Sequence, residues 1–414
     1  MIRLMNKSAL NKLGFLIAIL VLAGVGYVSV AKKNLKNKIV IQETPQITPQ
    51  AAPPVIFQPE GQLLTQAIDP ARSAAQTSKP KVPDNPATAR AGLPKYSFSN
   101  QICSGSSTEY LCLADFYKNL TGNYGASTAI ADMKQRFKVN ADVASNCHPL
   151  THIVGRTAAE SYKTTAEAFL LGDPFCWSGY YHGIMEGMVA KIGLQNLPNE
   201  LNSICADIPG KESYNFNYYN CVHGLGHGIM AELSDEVFDS LKMCDSLTGN
   251  WEQQSCYGGV YMQNIIDSTN VADTNNVVKY LKPSDPLYPC TAVEDKYKGQ
   301  CYLGQTSYVL QVNGYNFAKA FALCTTVAEP FRTICNQSMG RDAANQASHQ
   351  ADATKQICWL ASDPNDRSNC VVGAVKEIIS YYHSETQALD FCNILDDANK
   401  STCTTTADAY YELF

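Results

Sequence analysis

The sequence predicts an all-α fold of disulfide-clamped αα-hairpin repeats, solenoid-like, after an N-terminal transmembrane helix and a disordered Pro-rich linker. Three observations carry this. Cys290, Cys324, Cys358 and Cys392 recur every 34 residues, and each is followed after 11 or 12 residues by a companion: Cys301, Cys335, Cys370 and Cys403. Between the cysteines, apolar residues return at three- and four-residue steps, the helical period, without long alternating strand patterns. All 16 cysteines lie beyond residue 100, behind a long uncharged run and a proline-rich stretch.

Residues 1–12 are a short basic tail, and 13–31 read as a membrane anchor. The 19 uncharged residues between Lys12 and Lys32 would cover about 28 Å as a helix, the thickness of a bilayer's hydrocarbon core. A cleaved secretory signal is the alternative, because Ser29-Val30-Ala31 has the small-x-small form of a cleavage site. The length of the run and the two lysines that follow it favour retention. An even number of cysteines is expected in an oxidising compartment. The expected arrangement is therefore single-pass in the cell membrane, with the N-terminus cytoplasmic and the C-terminal domain extracytoplasmic, or secreted if the signal is cleaved.

Residues 32–98 form the stalk. Ten of the chain's 19 prolines fall between 40 and 95, in phrases such as TPQITPQAAPP, a composition that cannot bury enough apolar surface to order itself. The remaining 99–414 are the cysteine-rich ectodomain, with His-rich early repeats at 145–235 and scaffold repeats at 236–414. The whole chain, 414 residues with 45% apolar and 17% charged, can bury a sizeable core. Its net charge of −6 conceals a basic N-terminal part, with 12 Lys/Arg against 4 Asp/Glu in residues 1–99, and an acidic body with 20 against 34. Such a body is a poor partner for nucleic acid, and none is expected, but it can attract cations.

Upstream of Cys290 the pairing continues as Cys244/Cys256 and, stretched by the insert NFNYYN, as Cys205/Cys221. Each unit reads as two antiparallel helices, the first with a cysteine near its end and the second with one near its start. A disulfide closing such a loop is worth about 3 kcal/mol in the chain-entropy picture. The pairing of Cys103, Cys112, Cys147 and Cys176 stays open. The 34-residue period resembles that of tetratricopeptide repeats, and the clamped helix pairs resemble the secreted Sel1-like repeat proteins. The consensus residues of neither family stand at their expected places. The resemblance therefore implies an αα-solenoid and nothing about ligands.

Five of the seven histidines crowd into 80 residues, and they are the candidate chemistry. His182 and His227 each stand six places after a cysteine, in CWSGYYHGIM and CVHGLGHGIM, whereas later repeats hold Met262, Ser307, Arg341 and Lys376 there. On helices, His148/His152, His182/Glu186 and His223/His227 would each present two groups on one face. Imidazoles with a carboxylate suit zinc, iron or copper. His152, His182 and His227 are the expected first ligands, followed by His148 and His223. Glu186 is expected as a fourth ligand or as general base for a metal-bound water. Gly179, Gly183 and Gly187, with Gly224 and Gly228, mark close helix approach, a ligand against the backbone, or a loop. Histidines in packed repeats also serve as hydrogen-bonded core residues, and Met185, Met188 and Met230 as core filling. Tyr180, Tyr181, Tyr218 and Tyr219 either pack between repeats or line a pocket.

No GxxxxGK[ST], GxSxG, HExxH or CxxCH occurs, which removes the familiar enzyme assignments. The expected function is thus a membrane-tethered extracytoplasmic helical-repeat protein with a His-rich metal or ligand site, open to metal-assisted catalysis. The alternatives are a non-catalytic scaffold binding a peptide, glycan or envelope protein on its repeat surface, and a passive metal-storage domain.

Overall fold

A computed structural model describes residues 93–99, 102–103, 109–170, 172–269, 279–382 and 384–412. The anchor expected at 13–31 and most of the stalk lie outside the described residues. Among the described residues, no helix is long and apolar enough to cross a membrane.

These residues form helices and no strand. The first four are α1 (Glu109–Tyr124), α2 (Ala126–Phe137), α3 (Ala141–Ser145) and α4 (Cys147–Ala159). Then come α5 (Thr165–Leu170), α6 (Gly179–Ile192), α7 (Leu197–Glu200) and α8 (Phe216–Glu232). The next are α9 (Val237–Cys244), α10 (Asn250–Thr269), α11 (Asp295–Val312), α12 (Phe317–Cys324) and α13 (Phe331–Gln346). Last are α14 (Ala351–Cys358), α15 (Pro364–Tyr382), α16 (Thr386–Asn393) and α17 (Asp397–Tyr411). Helices α4, α6, α8, α10, α11, α13, α15 and α17 each pack against the next of the set, and the short helices between them lie alongside.

Local chemistry sets the ends of these helices. Asn215, Asn316 and Asp396 accept a hydrogen bond from the backbone N–H three residues on, capping α8, α12 and α17. At the other end, Asp235, Tyr315 and His349 take positive φ, and their N–H groups bond to the carbonyls of Met230, Leu310 and Ala344. The polypeptide can therefore turn sharply after α8, α11 and α13 and start the next unit.

All sixteen cysteines are paired. The six expected bridges are present: Cys205–Cys221, Cys244–Cys256, Cys290–Cys301, Cys324–Cys335, Cys358–Cys370 and Cys392–Cys403. Two more, Cys103–Cys112 and Cys147–Cys176, close the pairing left open by the sequence. In four units the first cysteine ends, or nearly ends, a short helix, as expected, but Cys205 and Cys290 lie in turns. The second cysteine sits one to two turns inside its long helix. Cys147–Cys176 departs from the rule by joining the start of α4 to the turn before α6. The sulfurs are core: Cys147, Cys221, Cys256, Cys301, Cys370 and Cys403 are fully buried. The bridges add to an apolar cluster extending from Leu113 to Cys370 and a second one from Ala344 to Tyr410. Eight disulfides point to an oxidising, extracytoplasmic environment.

Candidate metal centre

The glycine rows settle the geometry of α4, α6, α8 and α10. A Cβ on Gly183 would lie 2.1 Å from the carbonyl oxygen of His152. One on Gly226 would lie 2.2 Å from the Cys256 carbonyl oxygen, and one on Gly259 would lie 2.0 Å from that of His223. The glycines let successive backbones touch. CVHGLGHG is part of α8, so the loop reading falls away.

Close approach carries the histidines of three successive helices into one cluster. His148 and His152 come from α4, His182 from α6, and His223 and His227 from α8, all of them buried. Ring centroids of His152 and His182 are 5.3 Å apart, those of His152 and His227 5.4 Å, and those of His182 and His227 4.6 Å with the rings nearly parallel. Two triads are compact enough to hold a metal ion, His148/His152/His182 and His182/His223/His227, with donor atoms within 4.8 Å of one another in each. His182 belongs to both. The expected trio His152, His182 and His227 is thus split between the two triads.

The ring nitrogens are sorted by what surrounds them. Nδ1 of His148 lies 2.9 Å from the Cys176 carbonyl oxygen, which can only accept, so Nδ1 carries the hydrogen. Nδ1 of His152 donates to Glu186 Oε1 at 2.6 Å. The two Nε2 atoms then face each other at 3.0 Å. Two lone pairs at that distance require a positive charge between them, a proton or a metal ion. In α8, Nδ1 of His227 donates to Gln263 Oε1 at 2.8 Å, and Nδ1 of His223 lies 2.8 Å from the Tyr219 hydroxyl. Their Nε2 atoms are 3.3 Å apart. Two nitrogens bound to one tetrahedral ion at about 2.0–2.1 Å each are about 3.3 Å apart. Nδ1 of His182, buried, has no hydrogen-bond partner.

Burial disfavours the charged form of His148, His182, His223 and His227 and so favours the neutral state in which imidazole ligates. It lowers His148 to about 3, aided by His152, and lowers His227 to about 3 for the same reasons. His182 and His223 are pushed well below the ordinary histidine value by burial and by the neighbouring rings. Burial alone would raise the Glu186 carboxyl, but His152 and Arg156 outweigh it and hold the group at about 2. Both Glu186 oxygens are engaged, Oε1 by His152 and Oε2 by the Arg156 guanidinium. Glu186 therefore stands behind His152, orienting it, while the Arg156 charge keeps the carboxylate ionised.

The turn before α6 holds Cys176, Trp177 and Ser178 at φ of 54°, 54° and 60°. Left-handed backbone costs about 1–2 kcal/mol per such residue. The Cys147–Cys176 bridge fixes this turn and aims the Cys176 carbonyl at His148. Sequence reasoning did not reach Arg156, Gln263 or this carbonyl. Arg156 follows His152 by four residues on the same helix face, a signal that was available.

Neither family models, nor curated proteins, nor solved structures match this chain.

Proposed function

We propose that this protein binds a transition metal of the zinc, iron and copper group through its five clustered histidines, in a membrane-tethered, extracytoplasmic array of disulfide-clamped αα repeats. One observation carries the reading: acceptors stand behind the Nδ1 atoms of His148, His152 and His227, while Nε2 atoms converge in pairs at 3.0 and 3.3 Å. Metal-ligating histidine almost always hydrogen-bonds its second nitrogen in this way, which sets its tautomer and orientation. The unpartnered Nδ1 of the shared His182 supports it independently.

Each Glu186 oxygen already has a partner, which favours an orienting role over that of base for a metal-bound water. The burial of all five rings favours holding the ion over hydrolysis of a large substrate. The eight bridges and the uncharged run at 13–31 support an extracytoplasmic, tethered placement. A test is unfolding of the full chain with and without zinc. Binding to the folded state at a hundredfold excess over Kd adds about 2.7 kcal/mol of stability. The parent should show this gain and His152→Ala/His227→Ala should lose it. Equal gains in both, or none in the parent with zinc and, run in parallel, with iron(II) or copper(I), would overturn the reading.

A further inference from the structure

We propose that Met262 completes the second triad as a thioether ligand, and that the resulting three-nitrogen, one-sulfur set selects copper(I); this deepens, and rests on, the metal-binding reading above. The sulfur of Met262 lies 3.3 Å from Nε2 of His223, the same nitrogen that faces Nε2 of His227. For a tetrahedral ion with bonds of about 2.0 Å to nitrogen and 2.3 Å to sulfur, that separation is about 3.5 Å. The side chain is fully buried, and its sulfur faces the His223 imidazole.

Register supports the assignment. Met262 stands six residues after Cys256, as His182 stands six after Cys176 and His227 six after Cys221. The row that supplies histidine from α6 and α8 thus supplies sulfur from α10. The contact of Gly226 with the Cys256 carbonyl brings α10 close enough for this, and the next residue, Gln263, accepts from Nδ1 of His227. One turn of α10 therefore addresses both α8 histidines. Met185 is differently placed, its sulfur lying 3.6 Å from Sγ of Cys221 in a disulfide. Thioether sulfur is a soft donor that favours copper(I), whereas imidazole alone accepts zinc, copper, iron or nickel.

The test uses the full chain, loaded with copper(I) under ascorbate and competed with a chromophoric copper(I) chelator, with zinc titrated in parallel. Met262→Leu, close in volume, should weaken copper(I) at least tenfold and change zinc affinity by less than about threefold. X-ray absorption of the copper-loaded parent should show one sulfur at about 2.3 Å beside the imidazoles, a readout that survives if the variant does not fold. If the parent binds zinc or copper but has no sulfur in the copper shell, or if Met262→Leu holds copper(I) as tightly as the parent, this assignment fails and the histidine site stands. If the parent binds neither metal, both fail.

Discussion

Replacing Gly183 with alanine tests the contact that assembles the cluster. The added Cβ would sit 2.1 Å from the His152 carbonyl oxygen and 2.8 Å from that residue's Cα, both backbone atoms. An ordinary carbon–oxygen contact is about 3.4 Å, so α4 and α6 must separate by about 1 Å. Overpacking of this kind costs about 1–3 kcal/mol, and a backbone-to-backbone clash belongs at the top of that range. Alanine returns about 1 kcal/mol in helix propensity. The net expectation is a loss of about 2 kcal/mol, read as a lower urea midpoint with disulfides intact. Gly122→Ala is the control: its Cβ would meet only the Thr157 Cγ2 at 4.0 Å, so propensity alone acts and the variant should match or exceed the parent. A Gly183→Ala protein as stable as the parent would refute the argument that glycine is required for this approach.

The metal-free chain should lose stability in mild acid. His148 and His227 are lowered to about 3 from the ordinary 6.5, so below pH 6.5 the unfolded chain takes up protons that the folded one refuses. Stability is full above pH 6.5 and falls towards pH 3, by about 2 kcal/mol for each of the two at pH 5. A urea midpoint unchanged between pH 7 and 5 would contradict this. Glu186→Gln removes the charge behind His152 and should weaken zinc by about 10–100-fold, measured by chelator competition; unchanged affinity would deny Glu186 an orienting role. Thiol titration of the denatured, unreduced chain should find no free cysteine among the sixteen. Replacing Cys358 and Cys370 together with alanine should lower stability by about 3 kcal/mol in urea unfolding.

Much of this was legible because the repeat is written in cysteine. Spacings of 11 and 12 gave the clamped units from Cys244 onwards, and i,i+4 histidines placed two imidazoles on each of α4 and α8. Cys147–Cys176 escaped because its 29-residue separation breaks the rhythm and depends on a left-handed turn that no residue type announces. Tertiary partners were hidden in the register. His152 and Glu186 are 34 residues apart, His227 and Gln263 36, and Arg332 and Asp366 34. Each pair spans about one repeat, so knowing the period narrows the candidates, but only packing decides which nitrogen meets which oxygen. For that reason Glu186 could be placed near the histidines from sequence, and Arg156 on the face of His152, while which Glu186 oxygen each engages could not.

Metal content reads out whether these histidines form a metal site. The full chain is supplied with zinc, iron(II) and copper, freed of loose ions and analysed for elements beside His182→Ala. His182 belongs to both triads, so its loss should empty both. The parent chain should hold at least one transition-metal ion and the variant none. A parent chain without stoichiometric metal would contradict this, as would a His182→Ala chain that retains the full amount.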